Sequence, residues 1–282
     1  MKITILVDNT ALFDRMFIAE HGFSAYIEVE GKRVLFDTGY SDAVVRNAEK
    51  MKIDLLDLDY IILSHGHFDH TGGLIHLLRR FMEAAIEDIP HRIPRLIAHP
   101  RCFLSRPKSP LADIGTVLTD DKVHRLLPLE LSAGPVSITP NLFYLGEIER
   151  KFPFETSLPG PRQIVLPDGS TQEDRILDDT SLAFQSRDGL VIITGCAHAG
   201  ICNTVEYARK VCGESRVHDI IGGLHLRAAG PQLDGTAAYL RELRPSALHA
   251  CHCTSLAAKL ALAQMAPLQE SGVGLRLEYA DY

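Results

Sequence analysis

The chain has 282 residues, 46% of hydrophobic type, enough for one large core or two packed layers, and its length allows one or two domains. A net charge of −7 and a pI near 6.0 announce no nucleic-acid or anionic-membrane partner, although they leave room for local basic patches. The N-terminal apolar run is broken at Asp8, too early for a signal peptide, and no stretch approaches the ~20 apolar residues that span a bilayer. Six cysteines (Cys102, Cys196, Cys202, Cys212, Cys251, Cys253) lack disulfide-framework spacing and read as free thiols, so a soluble cytoplasmic protein is expected.

In chain order, residues 3–7 read as a strand, and residues 25–30 and 33–37 form a hairpin about Gly31-Lys32. Asp37 closes that hairpin, either as a turn-former or as the acceptor that orients a metal-bound histidine. Ser41 is placed to cap a helix over about 42–51. The apolar run Tyr60 to Leu63 reads as a buried strand, followed by Ser64-His65-Gly66-His67-Phe68-Asp69-His70-Thr71-Gly72-Gly73. Four metal-binding side chains fall within six residues there. In an extended segment His65 and His67 leave on the same face, while Asp69 and His70 point to a second position as the chain turns. Imidazole and carboxylate together suit zinc, iron or manganese. A helix keeps its period from Leu74 toward Pro90, which mounts the ligand turn between a strand and an anchored helix.

A strand is expected at 95–99. From about 100 to 175 recurring prolines indicate a loop-rich insertion with short β runs at 136–139 and 142–145, either an active-site cover or a passive excursion. The whole of 1–282 is otherwise taken as one domain. Order returns with a strand to Phe184, a tight turn at Asp188-Gly189 and the strand 190–194. Helices at about 201–212, 234–243 and 255–265 alternate with strands at 217–221, 247–250 and 273–279. Hairpins and strand–helix units in each half predict two packed sheets with helices outside.

Strand ends at His65, at Cys196 and His198, at His225 and at His252 can build one site if they share a sheet edge. Each late histidine alone reads more often as a satisfied structural residue than as a ligand. The opening motif, however, does not complete two coordination spheres, and a catalytic metal takes about three protein ligands plus an open position. No C-x-x-C pair completes a structural zinc site around Cys251-His252-Cys253, and strand alternation would direct both thiols away from His252.

His65, His67, Asp69 and His70 form the H-x-H-x-D-H signature, and with Asp37 and His252 the chain resembles the metallo-β-lactamase superfamily over essentially its whole length. The resemblance implies an α/β fold, the four-layer αβ/βα sandwich, with His65 and His67 in one metal site and Asp69 and His70 in the other. Two positions depart from the superfamily pattern. Its third-motif histidine would fall near Asp178-Asp179, and its bridging aspartate is replaced within Gly195-Cys196-Ala197-His198. His198 and His252 then complete the ligand set, with Asp179, Cys196 and His225 as further candidates. The stretches 21–24, 65–73, 178–182, 195–201, 222–226 and 252–254 are similar to the branch that contains the archaeal dihydropteroate-synthase-like enzyme of methanopterin biosynthesis. That enzyme joins a dihydropterin carrying a pyrophosphate leaving group to a ribofuranosyl-aminobenzene phosphate.

The resemblance implies one or two divalent ions, zinc first, with manganese, iron or magnesium as alternatives, and a small-molecule substrate. Asp69 and His70 take the catalytic role. In a hydrolase acting on a phosphoester or lactone, Asp69 orients the attacking water; in a synthase the metals stabilise departing pyrophosphate. A non-catalytic metal-binding protein on the same scaffold is the third reading. Arg101, Arg106, Lys108 and Arg227 either meet phosphate near the site or serve surface solubility.

Overall fold

Between Val29 and Lys32 the chain reverses through Glu30 and Gly31, both at positive φ (48° and 75°), and this two-residue turn fixes the first hairpin's register. The computed structural model describes residues 1–155 and 162–281, so residues 156–161 of the expected loop-rich stretch lie outside the described residues. Its strands in the first half are β1 (Lys2–Val7), β2 (Ser24–Val29), β3 (Lys32–Phe36), β4 (Tyr60–Ile62), β5 (Arg95–Ala98) and β6 (Leu129–Leu131). Next come β7 (Val136–Ser137), β8 (Leu142–Tyr144), β9 (Gln163–Val165), β10 (Thr171–Glu173), β11 (Ser181–Ser186) and β12 (Gly189–Thr194). The last are β13 (Val217–Gly223), β14 (Ala247–Cys251) and β15 (Arg276–Glu278). The helices are α1 (Ala43–Met51), α2 (Phe68–Thr71), α3 (Leu74–Ile86), α4 (Asp120–His124), α5 (Ile201–Cys212), α6 (Pro231–Leu243) and α7 (Leu256–Leu262).

One sheet runs β15-β1-β2-β3-β4-β5-β6 and the other β14-β13-β12-β11-β8-β7, while β9 and β10 form a separate ribbon. Consecutive apolar residues on a strand serve opposite faces, so strands buried on both sides read as continuous hydrophobic runs. Leu35 and Ile61 pack outward with Val44 and Ala48 of α1 and Leu77 and Phe81 of α3. Their neighbours Phe36 and Ile62 point inward to a core shared with Ile193 and Ile221 of the second sheet. Ile192 and Ile220 pack outward with Val205 of α5, Leu240 of α6 and Leu262 of α7. The result is the expected four-layer αβ/βα sandwich. Among the described residues no helix is long and apolar enough to cross a membrane.

Several local expectations shift. Asp42 precedes α1 without a side-chain cap, and Ser41 Oγ instead accepts from Ala43 N–H at 3.1 Å. The β11–β12 turn is Arg187-Asp188, because Gly189 already pairs with Ser186. The helix expected at 234 begins at Pro231, whose missing N–H costs nothing at the first position of a helix. The proline-rich stretch also carries α4, and it adds β6 to one sheet and β7–β8 to the other. These pieces are two to five residues long, below the length at which periodicity is visible.

The parallel pairs β3–β4 and β12–β13–β14 set the position of the site. Their carboxyl ends lie together at one edge of the sandwich, the usual ligand position in sheets of this kind. Gly222, near the end of β13, sits at φ 116°, and a Cβ there would lie 2.0 Å from the Thr194 carbonyl oxygen. Gly31, at φ 75°, faces open space. Urea unfolding is expected to show Gly31→Ala losing about 1 kcal/mol and Gly222→Ala about 3 kcal/mol or more, since only the second adds a backbone clash. Equal losses would show that the close approach at Gly222 is not felt.

Candidate metal centre

All six expected ligand residues converge at the strand ends. The His65 ring centroid is 4.5 Å from His67, 4.3 Å from His70 and 4.8 Å from His198. His67 lies 4.9 Å from His198, and His70 lies 4.9 Å from His252. The single turn α2 delivers Asp69 and His70 from the same segment. Ligand atoms of His65, Cys196 and His198 lie within 4.8 Å of one another, as do those of His70, Cys196 and His252. So do those of Cys196, His225 and Cys253, and of His21, Asp69 and His252. Cys196 thus sits at the centre. Asp179 lies outside these groups and accepts from Ala199 N–H at 2.8 Å, which holds the loop carrying His198.

Strained backbone aims these side chains. Asp37, Ala197, His225 and His252 adopt left-handed φ of 58°, 53°, 50° and 47°, just beyond the ends of β3, β12, β13 and β14. Each costs roughly 1–2 kcal/mol for a residue with a Cβ, and such clusters mark functional sites. The kink at His252 also overturns the alternation argument for the two thiols. Cys251 stays in the inter-sheet core, whereas Cys253 turns back into the site, its Sγ accepting from His225 N–H at 3.2 Å. His21 was equally outside the expected ligand set, yet its Nε2 lies 3.0 Å from Asp69 Oδ2.

A ring of outer hydrogen bonds fixes the imidazoles. His70 Nδ1 donates to Asp37 Oδ2 at 2.6 Å, so Asp37 is the orienting acceptor and not merely a turn-former. Ser64 Oγ also donates to that oxygen at 2.7 Å and lies 2.9 Å from His65 Nδ1. His252 Nδ1 pairs with Asn9 Oδ1 at 2.9 Å. In all three histidines Nδ1 is engaged from outside, which turns Nε2 toward the centre. The packing tolerates only glycine at 195, where a Cβ would lie 2.1 Å from Ser64 Oγ and 2.7 Å from Asp37 Oδ2.

Arg106, read from sequence as a phosphate or surface residue, is 1% exposed. It donates to Asp178 Oδ2 at 2.7 Å and to Asp174 Oδ2 at 3.0 Å, and Asp178 in turn accepts from Gly66 N–H at 2.8 Å. The pair therefore clamps the backbone between His65 and His67.

Burial, aided by the Arg106 charge, pulls His67 down to about 3, and burial holds His65 and His198 well below the ordinary value. These three rings are neutral at pH 7, the form that binds metal. Burial also lowers His70, but Asp37 and Asp69 outweigh it and raise the group to about 9. For Asp69 burial opposes ionisation and is outweighed by His70, His21 and His252, so the carboxylate is kept well below its usual range. Burial lifts Asp179 to about 7. His67 Nε2 and both ring nitrogens of His198 are buried without a hydrogen-bond partner among the described residues. Unpartnered imidazole nitrogens crowded against a thiol and a carboxylate are what a divalent ion would satisfy, so the donor set fits such an ion.

The centre opens to a cavity of about 190 Å³ whose lining includes His67, Asp69, Cys196, His198, His225 and His252. Lys108, Arg162 and Arg227 line the same space. Arg101 is not among the lining residues; it gives its carbonyl to Arg106. Arg162, which the sequence did not single out, has a buried Nη1 without a partner among the described residues. Burial and then the Arg227 charge pull its pKa down.

Asp37→Asn is expected to lower zinc affinity about 10–100-fold by isothermal titration, because the acceptor that orients His70 is weakened. Unaltered affinity would remove Asp37 from that role. Arg106→Ala is expected to cost about 3–5 kcal/mol in urea unfolding at pH 7, since it strands buried carboxylates. Burial opposes ionisation of Asp178, but Arg106 outweighs it and keeps the folded pKa below the unfolded value of about 3.9. The difference between wild type and variant should therefore hold above pH 5 and shrink as pH falls below about 4. A difference that is instead largest in acid would contradict the pairing.

The sequence matches the metallo-beta-lactamase superfamily profile over residues 18–209. A 7,8-dihydropterin-6-methyl-4-(beta-D-ribofuranosyl)-aminobenzene-5'-phosphate synthase from Methanocaldococcus jannaschii is 34% identical, covering 92% of this chain and 89% of the relative. An uncharacterized protein of the same organism is 32% identical over 79% of each chain. The crystal structure of a metal-dependent hydrolase of the beta-lactamase superfamily superposes with a TM-score of 0.82 at 27% identity, covering 100% of both chains. The chain belongs to the metallo-β-lactamase superfamily and is a metal-dependent enzyme of that fold.

Proposed function

We propose that the protein is a pterin-related synthase that moves a dihydropterin-6-ylmethyl group onto an aminobenzene acceptor: the methylene carbon bonds to the acceptor as its C–O bond to pyrophosphate breaks, and pyrophosphate and the acceptor's displaced proton are released. The observation that carries this reading is the triad Lys108, Arg162 and Arg227 lining the same cavity as the histidine cluster. Three cations above a metal centre suit a substrate that sheds a highly charged phosphate group. The activity in the name of the 34% identical relative supports the same choice.

In this reading His65, His67 and His198 would hold one divalent ion and Asp69, His70 and His252 a second, and Cys196, within reach of both groups, would offer a further donor. Imidazole and thiolate donors favour zinc over magnesium or manganese. Bound there, such ions supply Lewis acidity toward a phosphoryl oxygen and neutralise developing negative charge. The chain's own residues do the rest. Asp37 and Asn9 fix the rings of His70 and His252. Asp69, kept ionised, presents a fixed carboxylate to the cavity beside His70, and these two carry the catalytic role. Lys108, Arg162 and Arg227 bind and orient the pyrophosphate. The small-molecule partner and the cytoplasmic setting belong to the same proposal.

A phosphoester or lactone hydrolase is the second reading, favoured by the 27% identical structure described as a hydrolase. The two separate in one assay. Zinc-loaded protein is incubated with the dihydropterin pyrophosphate, with and without the ribofuranosyl-aminobenzene phosphate. The synthase reading predicts pyrophosphate release that requires both compounds, stops on chelation and is lost in His67→Ala. Arg162→Ala and Arg227→Ala are each expected to raise KM about tenfold or more, the loss of a charged hydrogen bond. Turnover of a simple phosphodiester or lactone, with no condensation product, would replace the synthase by the hydrolase.

A further inference from the structure

A second hollow of about 430 Å³ adjoins the metal cavity and shares two of its lining residues, His225 and Arg227. Its remaining wall includes Pro153, Phe154, Leu226, Ala228, Ala229 and Pro231. The metal cavity alone, at about 190 Å³, is smaller than the roughly 300–1,000 Å³ of ordinary small-molecule sites. Joined through His225 and Arg227, the two spaces reach that range.

We infer that this hollow is a subsite for a planar aromatic group, belonging to a ligand whose anionic end lies over the metal centre. The inference deepens the reading of a site that binds a pyrophosphate-bearing substrate over the metal centre, and rests on it. A charged gate beside an apolar recess, with Arg227 at the junction, suits a ligand that is anionic at one end and apolar at the other.

The recess is rigid enough to select shape. Phe154 lies against Gly235 of α6, where a Cβ would come within 2.7 Å of its ring, and Phe152 backs it at 5.3 Å between centroids. Tyr239 meets Phe152 edge to face, 5.4 Å between centroids. Glu155, the next residue, is buried and accepts from Cys202 N–H at 2.9 Å and Asn203 N–H at 2.8 Å. A carboxylate on the first turn of α5 is favoured by the helix dipole, so the segment 153–155 is tied to the helix that follows the His198 loop. Asn203 Oδ1 adds a second tie by accepting from the Lys151 and Phe152 N–H groups at 2.6 and 3.0 Å. Ala228 and Ala229 line the same hollow as Phe154, and their small side chains leave room for a flat ring, which prefers an aromatic neighbour.

The test compares methylphosphonate with benzylphosphonate, which carry the same charge and cannot be hydrolysed at the C–P bond. Both are titrated calorimetrically into zinc-loaded wild type, Ala229→Trp and Phe154→Ala. The quantity read is the ratio of the two Kd values within each protein. The inference predicts that benzylphosphonate binds wild type at least tenfold more tightly, and that the ratio falls toward one in Ala229→Trp, which fills the recess. Ala229 is exposed, so this variant is expected to fold even if Phe154→Ala does not. A wild-type ratio near one, with methylphosphonate bound, overturns the subsite and leaves the phosphate reading standing. A ratio retained in Ala229→Trp also overturns it. Failure of both probes to bind overturns the phosphate reading and the subsite together.

Discussion

Crowded, buried imidazoles are the constraint on which the rest of this structure depends. A buried polar atom without a partner costs about 1–3 kcal/mol, and among the described residues His67 and His198 contribute three such nitrogens. The left-handed residues at four strand ends add to that cost. No apolar packing repays an unpartnered nitrogen, whereas coordination does, and the free energy of binding a metal then becomes part of the free energy of folding. The sandwich carries the strain because α1 and α3 on one side and α5, α6 and α7 on the other anchor the sheets that bear it.

The chemical character of the centre is set by Cys196. The superfamily resemblance places an aspartate between the two metal positions, and here a thiol occupies that place, within reach of both the His65/His198 and the His70/His252 groups. Burial opposes ionisation of the thiols; in Cys253 a hydrogen bond with Cys196 and the charge of His252 prevail and make it the more acidic of the two, while Cys196 is pushed up. A sulfur donor at the hub disfavours hard, oxygen-seeking cations. Around it Asp37, Ser64 and Asn9 hold the rings of His70, His65 and His252 from outside, and the Arg106–Asp178 clamp holds the backbone between His65 and His67. The site is stiff before any ion arrives, which is how a preorganised centre avoids paying reorganisation during reaction.

Much of this was legible in the sequence. Continuous apolar runs ending in histidine or glycine marked the strands and their functional edge, and the spacing of His65, His67, Asp69 and His70 marked the metal. The residues that were missed share a cause. Cys253 was sent the wrong way because alternation assumes an extended backbone, and His252 at φ 47° is not extended. Arg106 lies among prolines and charges that read as surface, and only the fold over it makes its ion pairs buried. His21 is remote from the motif in sequence and meets Asp69 only through the packing of the loop before β2. Its place in the branch-like stretch 21–24 was the one available signal. The elements α4 and β6 were too short to show a period.

The most direct test of the account is a crystal structure of the protein grown with zinc, with the ions located by anomalous scattering. The account predicts two peaks, one bounded by His65, His67 and His198 and the other by Asp69, His70 and His252, with Cys196 Sγ bonded to at least one. Peaks elsewhere, or ions bound with Cys196 out of reach of both, would contradict it.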